Sequence, residues 1–238
     1  MKISVAEPAT RRRFLGAGLI SGVAVISIGP PLLAAESGKK KQEEGEITPT
    51  EDLMREHGVL KRVLLVYREI TRRLDAREEF APEALADAAG IIRRFIEDYH
   101  EKLEEDFLFP RFEKAGKHTE LTRVLREQHR AGRRVTDVTL RMASAKVLKD
   151  NSERQQLSGS LRQFIRMYEP HEAREDTVLF PALHKIVTPH ELGALGEDFE
   201  KKEHQLFGAD GFEQMVDKVA SVEKRLGIYD LAQFTPRI

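Results

Sequence analysis

One short pattern occurs twice in this sequence, 71 residues apart: His100-Glu101-x-x-Glu104-Glu105-x-x-Leu108-Phe109-Pro110 and His171-Glu172-x-x-Glu175-Asp176-x-x-Leu179-Phe180-Pro181. A single histidine precedes each copy, His57 by 43 residues and His129 by 42. On an α-helix, residues four apart lie one above the other, about 6 Å along the axis. His100 with Glu104, and His171 with Glu175, can therefore each offer one nitrogen and one oxygen to a single ion. A carboxylate has two oxygens and can bridge, so glutamates from two opposed helices can join two ions while His57, His100, His129 and His171 fill outer positions. Such ligation suits iron, manganese or zinc, and a carboxylate-bridged pair favours iron or manganese.

An isolated His-x-x-x-Glu is weak, because 40 of the 238 residues are acidic and such pairs are ordinary on helix surfaces. The recurrence is what counts: of eight histidines, only His100 and His171 have an acid four residues on, and both share the Leu-Phe-Pro ending. A duplication kept for packing alone gives no reason to set His171 and Glu175 within an apolar stripe, where an unpaired charge is costly. Each Leu-Phe-Pro is expected to pack across the bundle end, its proline kinking or ending the helix beyond the ligand pair. His118, His184 and His190 fall in connections and a capping turn, and are expected to face solvent. His204 stands beside the inward stripe of a fifth helix and is a candidate additional ligand, with Glu203 as its rival. Tyr168, one turn before His171, is either a partner of the ligands or a core residue.

Helical periodicity places these groups. Thr48-Pro49-Thr50-Glu51 is a capping box that starts a first helix, with Leu53, His57, Leu60 and Leu64 on one stripe and a break at 75–82. A second helix is expected from Pro82 to Ala115, with Ile92, Ile96, Tyr99 and Leu103 inward. A third runs from Thr119 towards Lys149, with Leu121, Leu125 and Gly132 inward. Asp150 can cap a fourth, which carries Leu157, Leu161, Phe164, Tyr168, His171, Glu175 and Leu179 on one face. The expected fold class is all-α, an antiparallel four-helix bundle. One or two additional C-terminal helices follow, beginning at Thr188-Pro189-His190-Glu191 and Asp210-Gly211-Phe212-Glu213.

Residues 1–35 read as an address. Thr10-Arg11-Arg12-Arg13-Phe14-Leu15 resembles a twin-arginine export motif, followed by an apolar run to Ile28 too short for a stable membrane span and by small residues for cleavage near Ala35. The export machinery is thus an expected partner and the periplasm the expected location, with an uncleaved membrane anchor as the alternative. Residues 36–47 form a charged, flexible linker, 48–207 the bundle, and 208–238 a C-terminal helix and tail packing on it. The formal charge of −1 becomes −4 without residues 1–35, whose four basic residues face only Glu7, and this argues against nucleic acid as a partner. With no cysteine, thiolate ligands, iron–sulfur clusters and disulfides are excluded.

The series His57, His100-x-x-x-Glu104, His129, His171-x-x-x-Glu175, with its two Leu-Phe-Pro endings, resembles the hemerythrin-like, or HHE cation-binding, family over residues 48–207. The resemblance implies a non-haem di-iron centre of two iron ions, with manganese or zinc less favoured. By position, His57, His100, Glu104, His129, His171 and Glu175 are its ligands and the glutamates its bridges. Members of the family bind oxygen, sense oxygen or iron, handle nitric oxide or serve iron-centre repair, so a small diatomic ligand is expected. The alternatives are an enzyme reducing nitric oxide or peroxide and a non-catalytic metal store. The sequence departs from the invertebrate oxygen carriers twice. Arg133 stands where their third helix has a second histidine, and the repeat points to Glu175 where they use an aspartate one residue later, here Asp176. Ferritin-like proteins use Glu-x-x-His twice, which only Glu97-x-x-His100 matches.

Overall fold

A computed structural model describes residues 47–144 and 147–236, so the proposed export segment 1–35 and nearly all of the linker lie outside the described residues. Among the described residues there are helices and no strands. We number the helices α1 (Pro49–Ala76), α2 (82–115), α3 (Thr119–Met142), α4 (151–183), α5 (Pro189–Phe207) and α6 (Gly211–Leu226). No helix among them is long and apolar enough to cross a membrane.

Local chemistry sets the helix starts. Thr48 and Thr188 each accept the N3 backbone N–H while Glu51 and Glu191 reach back to the cap N–H, forming two complete capping boxes. Asp150 accepts from the N–H groups of Ser152 and Glu153. At Asp210-Gly211-Phe212-Glu213, whose residue types would suit a capping box, none forms. The Asp210 side chain makes no cap bond, and Oε1 of Glu203 instead accepts the Phe212 N–H at 2.7 Å. The third helix stops at Met142, and a short 3₁₀ turn at Val147–Lys149 precedes α4.

α1 to α4 form a ring of antiparallel neighbours. Thr50 near the start of α1 bonds His184 just past the end of α4, and Asp75 near the end of α1 bonds Ser158 near the start of α4. Between α2 and α3, Arg126 reaches the carbonyl of Glu105 and Arg133 that of Glu97, again running in opposite directions. The stripe residues Leu53, Leu60, Leu64, Ile92, Ile96, Leu103, Leu125, Leu157, Leu161 and Leu179 are all buried in one core. α6 buries Met215, Val219, Val222 and Leu226 against α1 and α2, pinned by Arg62 on Glu223. α5 brings Phe207 edge-on to Phe95 and Tyr99, with ring centroids 5.7 and 5.5 Å away.

The prolines of the two Leu-Phe-Pro elements neither end nor break their helices, which continue to Ala115 and Leu183. A π-helical turn precedes each one instead, at Glu104–Leu108 and Glu175–Leu179. In each, the phenylalanine N–H reaches back five residues to the carbonyl of the glutamate. The wider turn absorbs the missing proline N–H and makes room for its ring. It also shifts the helical phase. On a regular helix Phe109 would lie about 180° from His100, since 3.6 residues make a turn, yet both are buried on the inner face. A further π-helical stretch at Ile92–His100 leads into the first histidine.

At Gly132 a side chain of α4 comes close against the backbone of α3. A Cβ there would overlap the Tyr168 hydroxyl and come within 2.9 Å of its Cζ. Gly132→Ala should therefore destabilise the protein by about 1–3 kcal/mol through overpacking, although alanine is the better helix former. Adding Tyr168→Phe should recover part of the loss. Chemical denaturation of the single and double variants measures both effects, and a single variant as stable as the parent would contradict the close approach.

Candidate metal centre

Inside the ring, the structure brings together six of the sequence-predicted residues: His57 from α1, His100 and Glu104 from α2, His129 from α3, and His171 and Glu175 from α4. None is more than 3% exposed. Oε2 of Glu104 lies 3.8 Å from His100 Nε2 and 3.5 Å from His129 Nε2. Oε2 of Glu175 lies 3.2 Å from His171 Nε2 and 3.4 Å from His57 Nε2. Each carboxylate thus spans two histidines from different copies of the repeat, as a bridge requires. Potential ligand atoms of Glu104, His129, His171 and Glu175 form one tight group, and those of His57, His100 and Glu104 a second.

The other ring nitrogen of every histidine is held from outside. His57 Nδ1 is 2.7 Å from Asp176, His100 Nδ1 2.7 Å from Glu56, His129 Nδ1 3.1 Å from Glu105, and His171 Nδ1 2.8 Å from Oε1 of Gln128. An acceptor at Nδ1 keeps the proton there and turns the Nε2 lone pair inward, as metal-binding histidines require. The arrangement follows the repeat. The residue before each single histidine, Glu56 or Gln128, holds the paired histidine of its own copy. The acid five residues after each paired histidine, Glu105 or Asp176, holds the single histidine of the other copy. The Leu-Phe-Pro phenylalanines are exchanged in the same way: Phe180 stacks on His57 and Phe109 on His129, both with centroids 5.6 Å apart. The two halves match closely, with His57–His100 at 4.7 Å and 52° and His129–His171 at 4.9 Å and 51°.

The chemistry of the donor set fits a cation. All four oxygens of Glu104 and Glu175 are buried without a hydrogen-bond donor, which is costly for a carboxylate unless something positive satisfies it. His129 and His171 turn their Nε2 atoms to within 3.1 Å of each other. A cation between two nitrogens that close can take a lone pair from each, whereas without one a proton must lie between them. Without a cation, burial and the charge of Glu175 push Glu104 well above the usual carboxylate range. Burial acts the same way on Glu175, but His171 and His57 outweigh it and hold that group well below.

The structure does not bring His204 to this cluster. It is exposed on α5, one residue past the inward position, which Glu203 occupies while capping α6. His118, His184 and His190 are also exposed. Arg133, at the position where a second histidine of α3 would stand, bridges Glu101 at 2.7 Å and Glu105 at 2.9 Å. Its guanidinium therefore pairs with Glu101 and Glu105, which with His129 form a third group of potential ligands. The Tyr168 hydroxyl donates to Glu101 at 2.6 Å rather than to a histidine. Sequence reasoning missed Glu56, Gln128, Glu105 and the histidine-stacking phenylalanines. Their signal was available as the position just before each single histidine and the fifth and ninth after each paired one.

The family described as hemerythrin HHE cation binding domain matches residues 48–141 and again 125–235, so that His129 falls in both matches. An uncharacterised protein of Mycobacterium tuberculosis and another of Mycobacterium bovis are each 51% identical over 225 residues, which is 92% of this chain and 86% of theirs. No solved structure matches.

Charge in the centre links it to pH. Desolvation alone would lower His57, but the carboxylates of Asp176 and Glu175 raise it from 6.5 to about 9. Burial raises Glu101 from 4.5 to about 8 against the pull of Arg133 and Tyr168. Both groups bind their proton more tightly folded than unfolded, so their contribution to stability is full below the unfolded value and lost as pH rises through the folded one. The metal-free protein should therefore lose thermal stability between pH 7 and 9. An ion must displace the inner proton of His57, so the gain in Tm on adding a divalent metal should grow over the same interval. Scanning fluorimetry with and without metal tests this, and a metal-induced gain that shrinks with rising pH would contradict it.

Proposed function

Since the chain belongs to the hemerythrin HHE cation-binding domain family, we propose that it is an exported non-haem di-iron protein that binds a diatomic ligand, oxygen or nitric oxide. The observation that carries this reading is the pair of buried, donorless carboxylates of Glu104 and Glu175, each spanning two histidines whose lone pairs are turned inward. Two iron ions bound there would supply two redox equivalents and an open coordination position. His57 with His100 would hold one ion, His129 with His171 the other, and Glu104 and Glu175 would be shared between them.

The protein's own part in this reading is positioning and exclusion. Asp176, Glu56, Glu105 and Gln128 fix the histidine tautomers, while Phe109 and Phe180 cover two of the rings and keep water from that side. With Arg133 engaged by carboxylates and His204 outside, each half offers two histidines. That equal division supports handling of nitric oxide or iron over reversible carriage of the invertebrate type. Delivery to the periplasm by the twin-arginine route completes the proposal and rests on Arg11-Arg12-Arg13-Phe14-Leu15.

Protein expressed with its cytoplasmic metal should contain about two iron ions per chain. Glu104→Ala and Glu175→Ala should each lose most of that metal while remaining helical by circular dichroism. Metal content at the parent level in both variants would sink the di-iron assignment. Stopped-flow mixing of the anaerobic ferrous protein with oxygen and with nitric oxide should give a spectral change with each, and the change with nitric oxide should reverse on removing the ligand. Steady consumption of the ligand would instead favour an enzyme, and no response a metal store.

A further inference from the structure

The repeat places a carboxylate and an amide in the same role. Glu56 and Gln128 each precede a single histidine and each hold Nδ1 of the paired histidine of their own copy, at 2.7 Å from His100 and 2.8 Å from His171. Everything nearer the centre is nearly symmetric: two histidines per half, two shared glutamates, matched ring geometry. The difference lies one shell out, in charge.

Around His57 and His100 the outer acceptors are Asp176 and Glu56. Asp176 faces Lys61 at 3.6 Å, a lysine more than half exposed and so well hydrated. Glu56 is 1% exposed. Among the described residues no lysine or arginine lies within ion-pair distance of it; its charged neighbours are the acids Asp52 and Glu203 and the ring of His57, and burial with the two acids holds its carboxyl well above the usual range. Around His129 and His171 the acceptors are Glu105 and neutral Gln128. Glu105 is matched by Arg133 at 2.9 Å and Lys102 at 2.5 Å. One half therefore has behind its histidines a buried glutamate with no lysine or arginine beside it, an acid that can take up negative charge as cations enter, and the other has none.

A carboxylate accepting from Nδ1 draws that proton outward and makes Nε2 a stronger donor, and losing such an outer partner typically weakens metal binding 10–100-fold. An amide accepts the same hydrogen bond without the charge. We propose that Glu56 makes the two metal positions unequal, so that the position of His57 and His100 holds a divalent ion more tightly and fills before that of His129 and His171. The inference rests on the two-metal reading above and assigns Glu56 as the residue that sets the order.

Cobalt(II), with a visible spectrum that reports its ligands, is a suitable probe for titrating the metal-free protein. His171→Ala leaves the first position and His100→Ala the second, and the first should bind about 10–100-fold more tightly than the second. Glu56→Gln in the His171→Ala background should erase most of that difference, and Gln128→Glu in the His100→Ala background should strengthen the weaker position. If a histidine variant fails to fold, the isosteric Glu56→Gln and Gln128→Glu changes in the otherwise intact protein give the same test. The first should draw the two binding steps together by weakening the tighter one, and the second should do so by strengthening the weaker one. Two ions bound with steps that neither change moves would overturn the inference alone. Fewer than two ions bound by the unaltered protein would overturn the two-metal reading along with it.

Discussion

The structure depends on the burial of two carboxylates, Glu104 and Glu175, with no hydrogen-bond donor to either. Left to themselves they repel one another and have lost their hydration, which would oppose folding around them. The surrounding elements are arranged to turn that cost into affinity for a cation. Four histidines on four helices direct nitrogen lone pairs at the same space, and each is prevented from turning away by an acceptor behind it. The π-helical turns that begin at both glutamates let the chain pass a proline and still bring a phenylalanine over the histidine of the opposite copy.

The exchange of parts between the copies gives the bundle its integrity. Asp176 and Phe180 serve His57, and Glu105 and Phe109 serve His129, so neither copy completes its own single histidine. A half-length unit would have paired ligands without tautomer control of its single histidine. The two copies are therefore coupled through polar contacts in the core as well as through apolar packing, and polar contacts of fixed geometry specify helix register more narrowly than leucines do. Beside the centre, Arg133 binds Glu101 and Glu105 together, Tyr168 donates to Glu101, and Thr136 donates to Glu97 at 2.5 Å. This network joins α2, α3 and α4 on one flank, where Gly132 gives Tyr168 the space to reach across.

The last two helices extend the core rather than the centre. α6 lies on α1 and α2, and α5 contributes Phe199 and Phe207 to the aromatic packing behind the inner face of α2. Glu203 belongs to this layer. Its carboxylate takes a backbone N–H at the start of α6, and Gly211 permits the approach, since a Cβ there would come within 2.8 Å of that oxygen. A buried acid that reads as a potential ligand in one dimension has a structural partner in three.

Much of this was legible in the chain itself. Four helices with their apolar stripes followed from 3.6-residue periodicity and from threonine and aspartate caps, because helix formation and capping are local. The clustering of His57, His100, Glu104, His129, His171 and Glu175 was foreshadowed because buried charge in an apolar stripe has few explanations. Other features needed the folded chain. Asp210 looks like a cap, but the acceptor comes from Glu203, nine residues earlier. His204 sits beside an inward stripe, and only the rotation of α5 on the bundle turns it to solvent. The prolines looked like helix ends, whereas packing on both sides kept the helices intact through wide turns. Above all, the partners of the histidine Nδ1 atoms join residues 24 to 119 positions apart. Short-range spacing determines which residues share a helix face, but which atom of a neighbouring helix stands behind an imidazole is decided only when the helices pack.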